Sequence, residues 1–486
     1  MTRAAVLVAA AVAGACLMWT GPAFAQGNVR ECTLTGSEGT KQFYTCRYGP
    51  VTVAPYQVLS SEFNFDVPTP KVDGHITAME TDVVDANGTP VPINRLMLHH
   101  IVFANLGAQI GTKHDRTCDS FLRWDSVNTI PALAERFYAA GEERAKLRLP
   151  SGYGYRMTKR DGWTLTYMFM NHRNRVDSAF IQYKITVDTA PNMIDVTPYW
   201  LDVENCKIDP VYDVPGHRKR GATSTKTAKW TIPQAGRIVA AGGHVHGGGM
   251  ELRLRRDECG RKGSTLYESK PTWGKPSHPF YHVRPILHEP GPIHMGGFNS
   301  ARGFPVAAGE RIALDSIYDA TRPHTRVMGI MLVYVAPDAS VTSKCGPRPD
   351  DVTELPGPAG RKKPPPFTVP IVGIRGGRAV NIAAPRGRRV RLGKRGTITV
   401  GDQFFRRPNV TVRKGSTLTW DFEGSTLHNI TVANGPQGFS SPNLNDGRTF
   451  KAKLNKPGTY QLFCGLHPVA MTATIKVTGA KKKRRH

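Results

Sequence analysis

Short alternating or continuous apolar runs recur along most of the chain, and they constrain its fold more than any other feature. They occupy residues 164–170, 179–187, 237–241, 250–254, 311–317 and 327–335, and Gly, Pro, Asn or Asp bounds them. A period of two places alternate side chains on opposite faces of a strand. Helical periodicity is nearly absent, and the best helix candidate covers residues 131–145. The pattern predicts an all-β protein built from sandwiches.

The N-terminal segment has the features of a secretory signal peptide. One Arg precedes a long apolar run, and Ala23, Phe24 and Ala25 form a small-x-small cleavage motif. We predict a signal peptide over residues 1–25, cleaved before Gln26. A transmembrane anchor is the alternative, but a Gly-Pro pair interrupts the short apolar core. We therefore expect an exported, extracytoplasmic protein.

Eight cysteines give an odd number once Cys16 is removed with the signal peptide. Six of the remaining seven precede residue 346, and an exported protein can join them in three disulfides with 15 possible pairings. Among these pairings we favour Cys206–Cys345, which would join the two ends of one domain. Cys464 stands alone in the last domain and is predicted to stay unpaired.

The length of 486 residues corresponds to two to four domains. We predict a first sandwich over residues 26–200, a second over 201–345, an extended Pro-rich and basic linker over 346–389, a third sandwich over 390–478 and a basic tail over 479–486. Residues 346–486 hold 26 Lys and Arg against 7 Asp and Glu, which leaves +19 of the total +27. This charge favours docking on an acidic partner or an anionic envelope surface. Nucleic-acid binding is not expected, because no recognition motif is present.

The last sandwich carries the ligands of a blue (type 1) copper site. Cys464, His467 and Met471 share one loop between two predicted strands, and His428 precedes an earlier strand. Two imidazoles, one thiolate and a weak axial thioether are the ligands of such a site. Over about 85 residues the segment resembles plastocyanin and amicyanin, which implies a Greek-key cupredoxin fold and one-electron transfer.

A second set of motifs lies upstream. His99 and His100 are adjacent, His172 ends a predicted strand, and His244 and His246 are two residues apart, so they face the same way along a strand. Adjacent histidines face opposite ways in a regular strand, so a metal shared by His99 and His100 requires a bend or bulge.

Together with the segment from Leu149 to Gly154 and the strand near Met328, this ordered set resembles the copper type II, ascorbate-dependent monooxygenases. That family includes peptidylglycine α-hydroxylating monooxygenase and dopamine β-monooxygenase, and the resemblance covers about residues 50–345. It implies two consecutive jelly-roll-like sandwiches and three copper ions in all, counting the blue one. By resemblance, one ion is bound by His99, His100 and His172, and a catalytic, O2-binding ion is bound by His244, His246 and Met328.

Several positions depart from that family or leave alternatives. Amidating enzymes hold a peptide carboxylate with an Arg and polar residues where this chain has Gly242, Ile330 and Leu332. We therefore expect no peptide-amidating activity. Met331 and Met250 are alternatives to Met328, and Met331 should face the opposite side of its strand. Most of the other histidines before Met328 are expected on the surface or in loops; His294 and His324 are the candidates to orient metal ligands (the set is His278, His282, His288, His294 and His324).

The sequence is consistent with three functions. The first is an exported monooxygenase that hydroxylates a C–H bond with O2 and an external reductant such as ascorbate or a redox protein. In this hypothesis the blue copper feeds electrons to the all-histidine copper, and the substrate is an unidentified small molecule or peptide. The second is a non-catalytic copper protein for electron transfer, storage or delivery. The third is a surface-binding module with structural metals.

Overall fold

The computed structural model describes residues 28–118, 121–123, 129–216, 219–260 and 264–479. Within these residues the chain forms strands and one 3₁₀ helix, Pro279–His282, with no α-helix. The all-β prediction is confirmed. The predicted signal peptide and the basic tail from residue 480 lie outside the described residues. No helix in the described part of the chain is long and apolar enough to span a membrane.

The first sandwich packs two sheets on one core. Strands β2, β12, β4 and β10 form the centre of one sheet, in the order β1-β2-β12-β4-β10-β13 with β9 beside β4, and the other sheet has the order β3-β11-β5-β8. Phe103, Trp163 and Tyr183 are fully buried between them. The strands are β1 (Val29–Glu38), β2 (Lys41–Val53), β3 (Val58–Asn64), β4 (Gly74–Val84), β5 (Met97–Gly107), β6 (Phe121–Arg123), β7 (Thr129–Pro131), β8 (Glu135–Gly141), β9 (Leu147–Arg148), β10 (Tyr153–Met157), β11 (Gly162–Met170), β12 (Asp177–Asp188) and β13 (Ile194–Asp195).

The second sandwich follows directly. Its sheets have the orders β14-β25-β17-β22-β26 and β16-β23-β18-β19, with their own core around Leu252, Phe298 and Leu314. The strands are β14 (Thr197–Asp202), β15 (Tyr212–Val214), β16 (Thr223–Thr231), β17 (Gly236–Val245), β18 (Gly249–Arg256), β19 (Thr265–Ser269), β20 (Pro271–Thr272), β21 (His294–Met295), β22 (Gly297–Val306), β23 (Arg311–Asp319), β24 (His324–Val327), β25 (Gly329–Pro337) and β26 (Thr353–Glu354).

The outer face of β25 packs on the first sandwich. Met328, Ile330 and Leu332 are buried within the core cluster of the first sandwich, whereas Met331 lies in the core of the second. The Tyr334 hydroxyl donates to the Phe137 carbonyl across the same interface, at 2.8 Å. The alternation along β25 therefore buries one face in each sandwich, and Met331 faces away from Met328 as predicted.

The C-terminal sandwich has sheets of the orders β29-β32-β37-β36-β34 and β31-β30-β33-β35 around Trp420 and Tyr460. A hairpin of β27 and β28 precedes it. The strands are β27 (Ile371–Arg375), β28 (Arg378–Ile382), β29 (Val390–Arg391), β30 (Arg395–Gly401), β31 (Phe404–Phe405), β32 (Asn409–Arg413), β33 (Ser416–Phe422), β34 (Thr431–Asn434), β35 (Arg448–Leu454), β36 (Gly458–Phe463) and β37 (Thr472–Thr478).

The segment 346–389 is not the extended spacer that we predicted. Its strand β26 pairs with β22, and its hairpin buries Val372 against Leu287 of the second sandwich and Val469 of the third. Val369 and Ile371 pack with Ala433. The apolar run 369–372, which follows the Pro-rich stretch, is long enough to join a core, so the segment connects the sandwiches by packing.

The predicted helix at residues 131–145 is also wrong. This segment contains β8, whose residues pair with β5 from His100–Gly141 to Asn105–Glu135. Its Ala, Glu and Arg content favours a helix. The free edge of β5 and the buried contacts of Phe137 and Tyr138 override that preference, since tertiary packing dominates weak propensities.

Three disulfides form among the six upstream cysteines, but not with the pairing we favoured. Cys206 pairs with Cys118, and Cys345 pairs with Cys259, which excludes Cys206–Cys345. The third joins Cys32 to Cys46 across the β1–β2 hairpin. Cys206 faces the first sandwich and not the end of the second, so the bond ties the two sandwiches together. Cys464 is free and buried, as predicted.

Candidate functional site

The loop from β36 to β37 closes on itself by backbone hydrogen bonds. The His467 amide donates to the Cys464 carbonyl at 3.1 Å, the Met471 amide donates to the His467 carbonyl at 3.0 Å, and the Cys464 amide donates to the Met471 carbonyl at 2.9 Å. Short spacing therefore holds all three predicted ligands on one compact turn. Cys464 and Met471 are both fully buried in the core of this sandwich.

His428 reaches the same point from the neighbouring part of the sheet. Its Nδ1 lies 3.1 Å from Nδ1 of His467, and these two nitrogens lie 4.0 and 3.8 Å from the Cys464 Sγ. Its Nε2 lies 3.1 Å from an Asp402 carboxylate oxygen and 3.0 Å from the Thr426 hydroxyl. This outer contact fixes the ring and leaves Nδ1 facing the thiol.

Cys464 accepts a hydrogen bond from the Asn429 backbone amide at 3.4 Å. Burial raises the pKa of its thiol, although this amide and the loop amides oppose the shift. The Asn429 side chain accepts from the Gly465 amide at 2.7 Å and so ties the loop to the segment that carries His428. One thiol, two imidazoles and a buried thioether nearby are the donor set of a type 1 copper site.

In the first sandwich, β5 contains a bulge at the adjacent histidines. Met168 of β11 pairs with His100, and the next residue, Phe169, pairs with Leu98, so His99 is the extra residue. A bulge re-aims a side chain, and the rings of His99 and His100 come within 5.3 Å of each other. A metal shared by His99 and His100 requires such a bulge.

The histidines of the two sandwiches meet in one cluster. Ring nitrogens of His99, His100 and His246 all lie within 4.8 Å of one another, and the His244 and His246 rings are 5.1 Å apart. We expected His246 to share a metal with His244 and Met328, apart from His99 and His100. The structure groups them differently, because the bulge and the packing of β5 against the end of β17 bring both sets to one interface. The individual ligand assignments remain predictions.

A buried carboxylate that the sequence analysis missed supports this cluster. Glu142 approaches His99 Nδ1 at 2.7 Å and His288 Nε2 at 2.6 Å, and it accepts from the Gly291 amide at 2.8 Å. Burial alone would raise the pKa of Glu142, but His288 and His99 lower it well below its usual range. Because Glu142 takes Nδ1 of His99, Nε2 is the nitrogen left for a metal.

The next residue, Glu143, orients His244, another predicted ligand. Its carboxylate lies 3.1 Å from His244 Nδ1 and accepts from the Gly141 amide at 2.8 Å. Burial would lower the pKa of His244, but Glu143 raises it. Both carboxylates directly follow β8. They were overlooked because we predicted a helix over this segment; the signal that could have revealed them is the Glu-Glu pair after a strand.

Several buried ring nitrogens of this cluster have no hydrogen-bond partner among the described residues. They are His100 Nδ1, His244 Nε2, His246 Nε2, His288 Nδ1 and both nitrogens of His172. Burial holds the pKa of His100 and His246 well below the usual range and lowers that of His172 to about 3. The low pKa values of His100, His246 and His172 favour the neutral form of these three rings, and buried polar atoms without partners are costly unless something binds them.

The remaining candidates separate clearly. Met328 is buried beside His99, His100 and His246, around one small cavity. His324 lies 3.0 Å from Glu289. His294 lines a different cavity together with Glu354, away from the cluster. His288, which we placed with the surface and loop histidines, is the one that enters the cluster: its ring centre is 4.8 Å from that of His99.

The histidine cluster and the loop that carries Cys464 border the same cavity of about 120 Å³. His99, His100 and His246 line one side, and Gly465 and Leu466 of the C-terminal loop line the other. The sandwiches are thus docked with their candidate sites facing each other.

Arg326 lies at this junction, with a left-handed φ of 53°. Its carbonyl lies 3.0 Å from His246 Nδ1, and its guanidinium donates to the Ser441 carbonyl at 3.1 Å. Ser441 in turn donates its amide to the Ile430 carbonyl at 2.8 Å. A continuous series of bonds therefore links His246 to the strand that follows His428 and Asn429.

Comparison with known proteins assigns the C-terminal sandwich. Residues 395–478 match the family model of copper binding proteins of the plastocyanin/azurin family. The C-terminal domain is a cupredoxin. Amicyanin-alpha of Methylorubrum extorquens is 31% identical over 74 residues, which are 15% of this chain and 62% of that protein. The chain thus spans about three-fifths of the curated relative it matches.

Solved structures match the same domain. A purple cupredoxin from Nitrosopumilus maritimus shares 25% identity, over 17% of this chain and 99% of that one, with a TM-score of 0.16. An oxidized mutant of amicyanin shares 20% identity, over 17% of this chain and 80% of that one, also with a TM-score of 0.16.

Upstream, residues 166–338 match the family model described as Stress up-regulated Nod 19. This is the family found where the sequence motifs resemble copper monooxygenases. The match spans β11 to β25 and includes His172, His244, His246 and Met328.

Proposed function

We propose that this chain is an exported copper oxidoreductase in which the cupredoxin domain exchanges single electrons with a second copper centre at the upstream histidine cluster. In its complete form the proposal includes hydroxylation of a substrate C–H bond there, with O2 and an external reductant. His99, His100 and His246 are the proposed ligands of this centre, with His172, His244 and Met328 beside them.

The observation that carries the proposal is the shared cavity. His100 and His246 border it on one side and Gly465 and Leu466 on the other. Short distances favour electron transfer, and the bonds through Arg326 connect the same two sites. A cupredoxin domain kept only as a copper store would gain nothing from this docking.

The donor sets fit copper at both sites. A thiolate with imidazoles and a thioether suits type 1 copper, and imidazoles alone suit copper, zinc, iron or nickel. Copper supplies one-electron transfer at the first site and activation of O2 at the second. Glu142 and Glu143 hold the rings of His99 and His244 in place, and both carboxylates are almost fully buried.

Export and partners complete the proposal. The signal-peptide motif supports export, and the three disulfides fit a compartment outside the cytoplasm in which they persist. Arg386, Arg388 and Arg389 are exposed before the cupredoxin domain. They favour an acidic redox protein or an anionic surface as the partner of this region.

The test is the reoxidation of the fully copper-loaded, ascorbate-reduced protein after mixing with O2. We expect the blue absorption of wild type to return at least ten times faster than that of a His246→Ala variant, because electrons leave through the upstream centre. His294→Ala is the matched control, since His294 is a histidine of the same sandwich outside the cluster.

Equal reoxidation rates in His246→Ala and wild type would refute electron exchange between the sites. If wild type binds a single copper ion per chain, the non-catalytic copper protein becomes the better description. A broad panel of C–H substrates, assayed with ascorbate for hydroxylated products, tests the hydroxylation step separately.

A Glu142→Gln variant is expected to bind copper at the upstream centre about 10–100-fold more weakly, because His99 and His288 lose their charged partner. Competition with a copper chelator measures this affinity, and the type 1 copper should be unaffected. Glu135→Gln is the control: Glu135 is a buried carboxylate at the start of β8, but it accepts from the Tyr155 hydroxyl, at 2.7 Å, away from the histidines. Equal loss in both variants would contradict a specific role for Glu142.

A further inference from the structure

A cavity of about 490 Å³ lies between the two upstream sandwiches. This volume falls within the range of roughly 300–1,000 Å³ that is typical of small-molecule sites. One wall is the sheet with β5 and β11, and the other is the sheet with β17 and β25. His100 lies on the first wall and His244 on the second, so the cavity ends at the histidine cluster.

The alternation of the strands explains why the walls are apolar. On β5, His100 shares its face with Val102, Ala104 and Leu106, and all four line the cavity. On the opposite wall, Ala240 and Gly242 share the face of His244, and Met328, Ile330 and Leu332 stand beside them. The faces that carry the histidines are thus almost entirely hydrocarbon elsewhere.

The charged side chains of the cavity wall already have partners. Arg136 pairs with Asp115 at 2.6 Å, Arg148 with Glu80 at 3.1 Å and Asp209 with Arg326 at 2.7 Å. Lys146 also pairs with Glu80, and Glu143 with His244. Lys146 and Arg148 share the single carboxylate of Glu80, but their side chains are 59% and 41% exposed, so this excess positive charge faces solvent. The other charged groups of the described wall are paired, and an unpaired charge buried beside them would be costly.

The mouth of the cavity is apolar as well. Phe63, Phe65, Ile110 and Leu133 line it and are 40%, 60%, 65% and 49% exposed. A contiguous group of large exposed apolar side chains marks a binding surface more often than single ones do. Here the group leads into a cavity, which identifies the expected occupant as a small molecule.

Gly242 opens directly into the space. A Cβ built on this glycine would meet nothing within 4 Å, although the residue lies within β17 on the same face of the strand as His244. Most other glycines of the strands touch a neighbour at shorter range; at Gly243 the nearest atom would be 2.6 Å away. The cavity therefore has free volume next to the candidate metal ligands.

We propose that this cavity binds a neutral, lipophilic small molecule and presents it to His100 and His244. Its role as the oxidised substrate rests on the proposed function; binding itself does not. The pairing of the buried charges selects against carboxylate-bearing and amine-bearing molecules in the interior of the cavity, and the apolar mouth selects for entry from an apolar phase.

The test is titration of the full chain, with and without copper, with the neutral fluorescent probe N-phenyl-1-naphthylamine. We expect saturable binding of one probe per chain, at least tenfold weakened in Gly242→Leu, whose side chain fills the free space. Gly36→Leu is the control, because its added Cβ on an exposed part of β1 would contact only Phe43, at 3.6 Å. Thr166→Phe fills the cavity from the opposite wall and serves if Gly242→Leu does not fold.

Equal affinity in wild type and in both filled variants would overturn the proposal, and so would tighter binding of the anionic probe 1-anilinonaphthalene-8-sulfonate than of the neutral one. Probe binding by copper-free protein does not depend on redox chemistry. If probe binding is lost in the filled variants while His246→Ala leaves reoxidation unchanged, the cavity stands and the proposed function fails. If reoxidation depends on His246 but no probe binds, the reverse holds.

Discussion

In a Cys464→Ser variant we expect complete loss of the intense visible absorption of the type 1 copper. This absorption requires a copper–thiolate bond, and a serine hydroxyl is neither soft nor ionised at neutral pH. The fold should persist, because the Asn429 amide that donates to Sγ can donate to the smaller hydroxyl. Visible absorption and EPR spectra of the copper-loaded protein measure the effect, and circular dichroism checks the fold.

Met471→Leu is the matched comparison in the same loop. Met471 is fully buried, and leucine keeps its apolar volume. The axial ligand of a type 1 site is weak and tunes the reduction potential. The absorption should therefore remain while the potential shifts. Blue absorption in Cys464→Ser would show that the thiolate lies elsewhere, and its loss in both variants would point to a general collapse of the loop.

The cupredoxin site could be predicted from sequence because its geometry is local. Cys464, His467 and Met471 lie within eight residues, and a closed loop of that length leaves few ways to place them. His428 had to come from another strand, but the domain offers one histidine upstream of the loop. The odd cysteine count independently marked Cys464.

The upstream cluster is different because its geometry is not local. His99 and His246 are 147 residues apart along the chain. Their rings come into contact only because of a bulge in β5 and the packing of two sheets. The motifs named histidines that the fold brings together, but they could not say which rings would face each other. Glu142 was overlooked and His288 was expected on the surface or in a loop because neither belongs to a motif; only the fold brings them to His99.

The disulfide pairing could not be predicted for the same reason, because the bonded cysteines are far apart along the chain. Cys118 and Cys206 are 88 residues apart, and Cys259 and Cys345 are 86 apart. Composition and compartment predicted three bonds, but spacing does not choose between pairings when every loop is long, since the cost of closing a loop grows only slowly with its length. The choice is made by the strands that carry each cysteine.

A Glu310→Gln variant is expected to destabilise the second sandwich by about 3–5 kcal/mol, the usual cost of removing one partner from a buried ion pair. Glu310 is fully buried and Arg256 is 1% exposed, and they form a salt bridge. Glu310 also accepts from the Cys345 and Ala307 amides, at 3.2 and 2.9 Å. Glutamine keeps the volume but leaves the Arg256 charge without a counter-charge. Guanidinium unfolding followed by tryptophan fluorescence measures the midpoint of this transition.

Glu258→Gln is the matched control for that experiment. Glu258 is an exposed carboxylate near the same disulfide, and it pairs with Lys344 at 2.9 Å and Arg311 at 2.8 Å. Solvent screens such pairs, so its midpoint should match that of wild type. A comparable loss in both variants would mean that charge in this region matters generally and that burial does not. Cys259 and Cys345 are joined by a disulfide next to Glu310, so we assign a structural role to these three residues. The Glu310→Gln substitution should therefore leave the type 1 absorption of the folded protein intact.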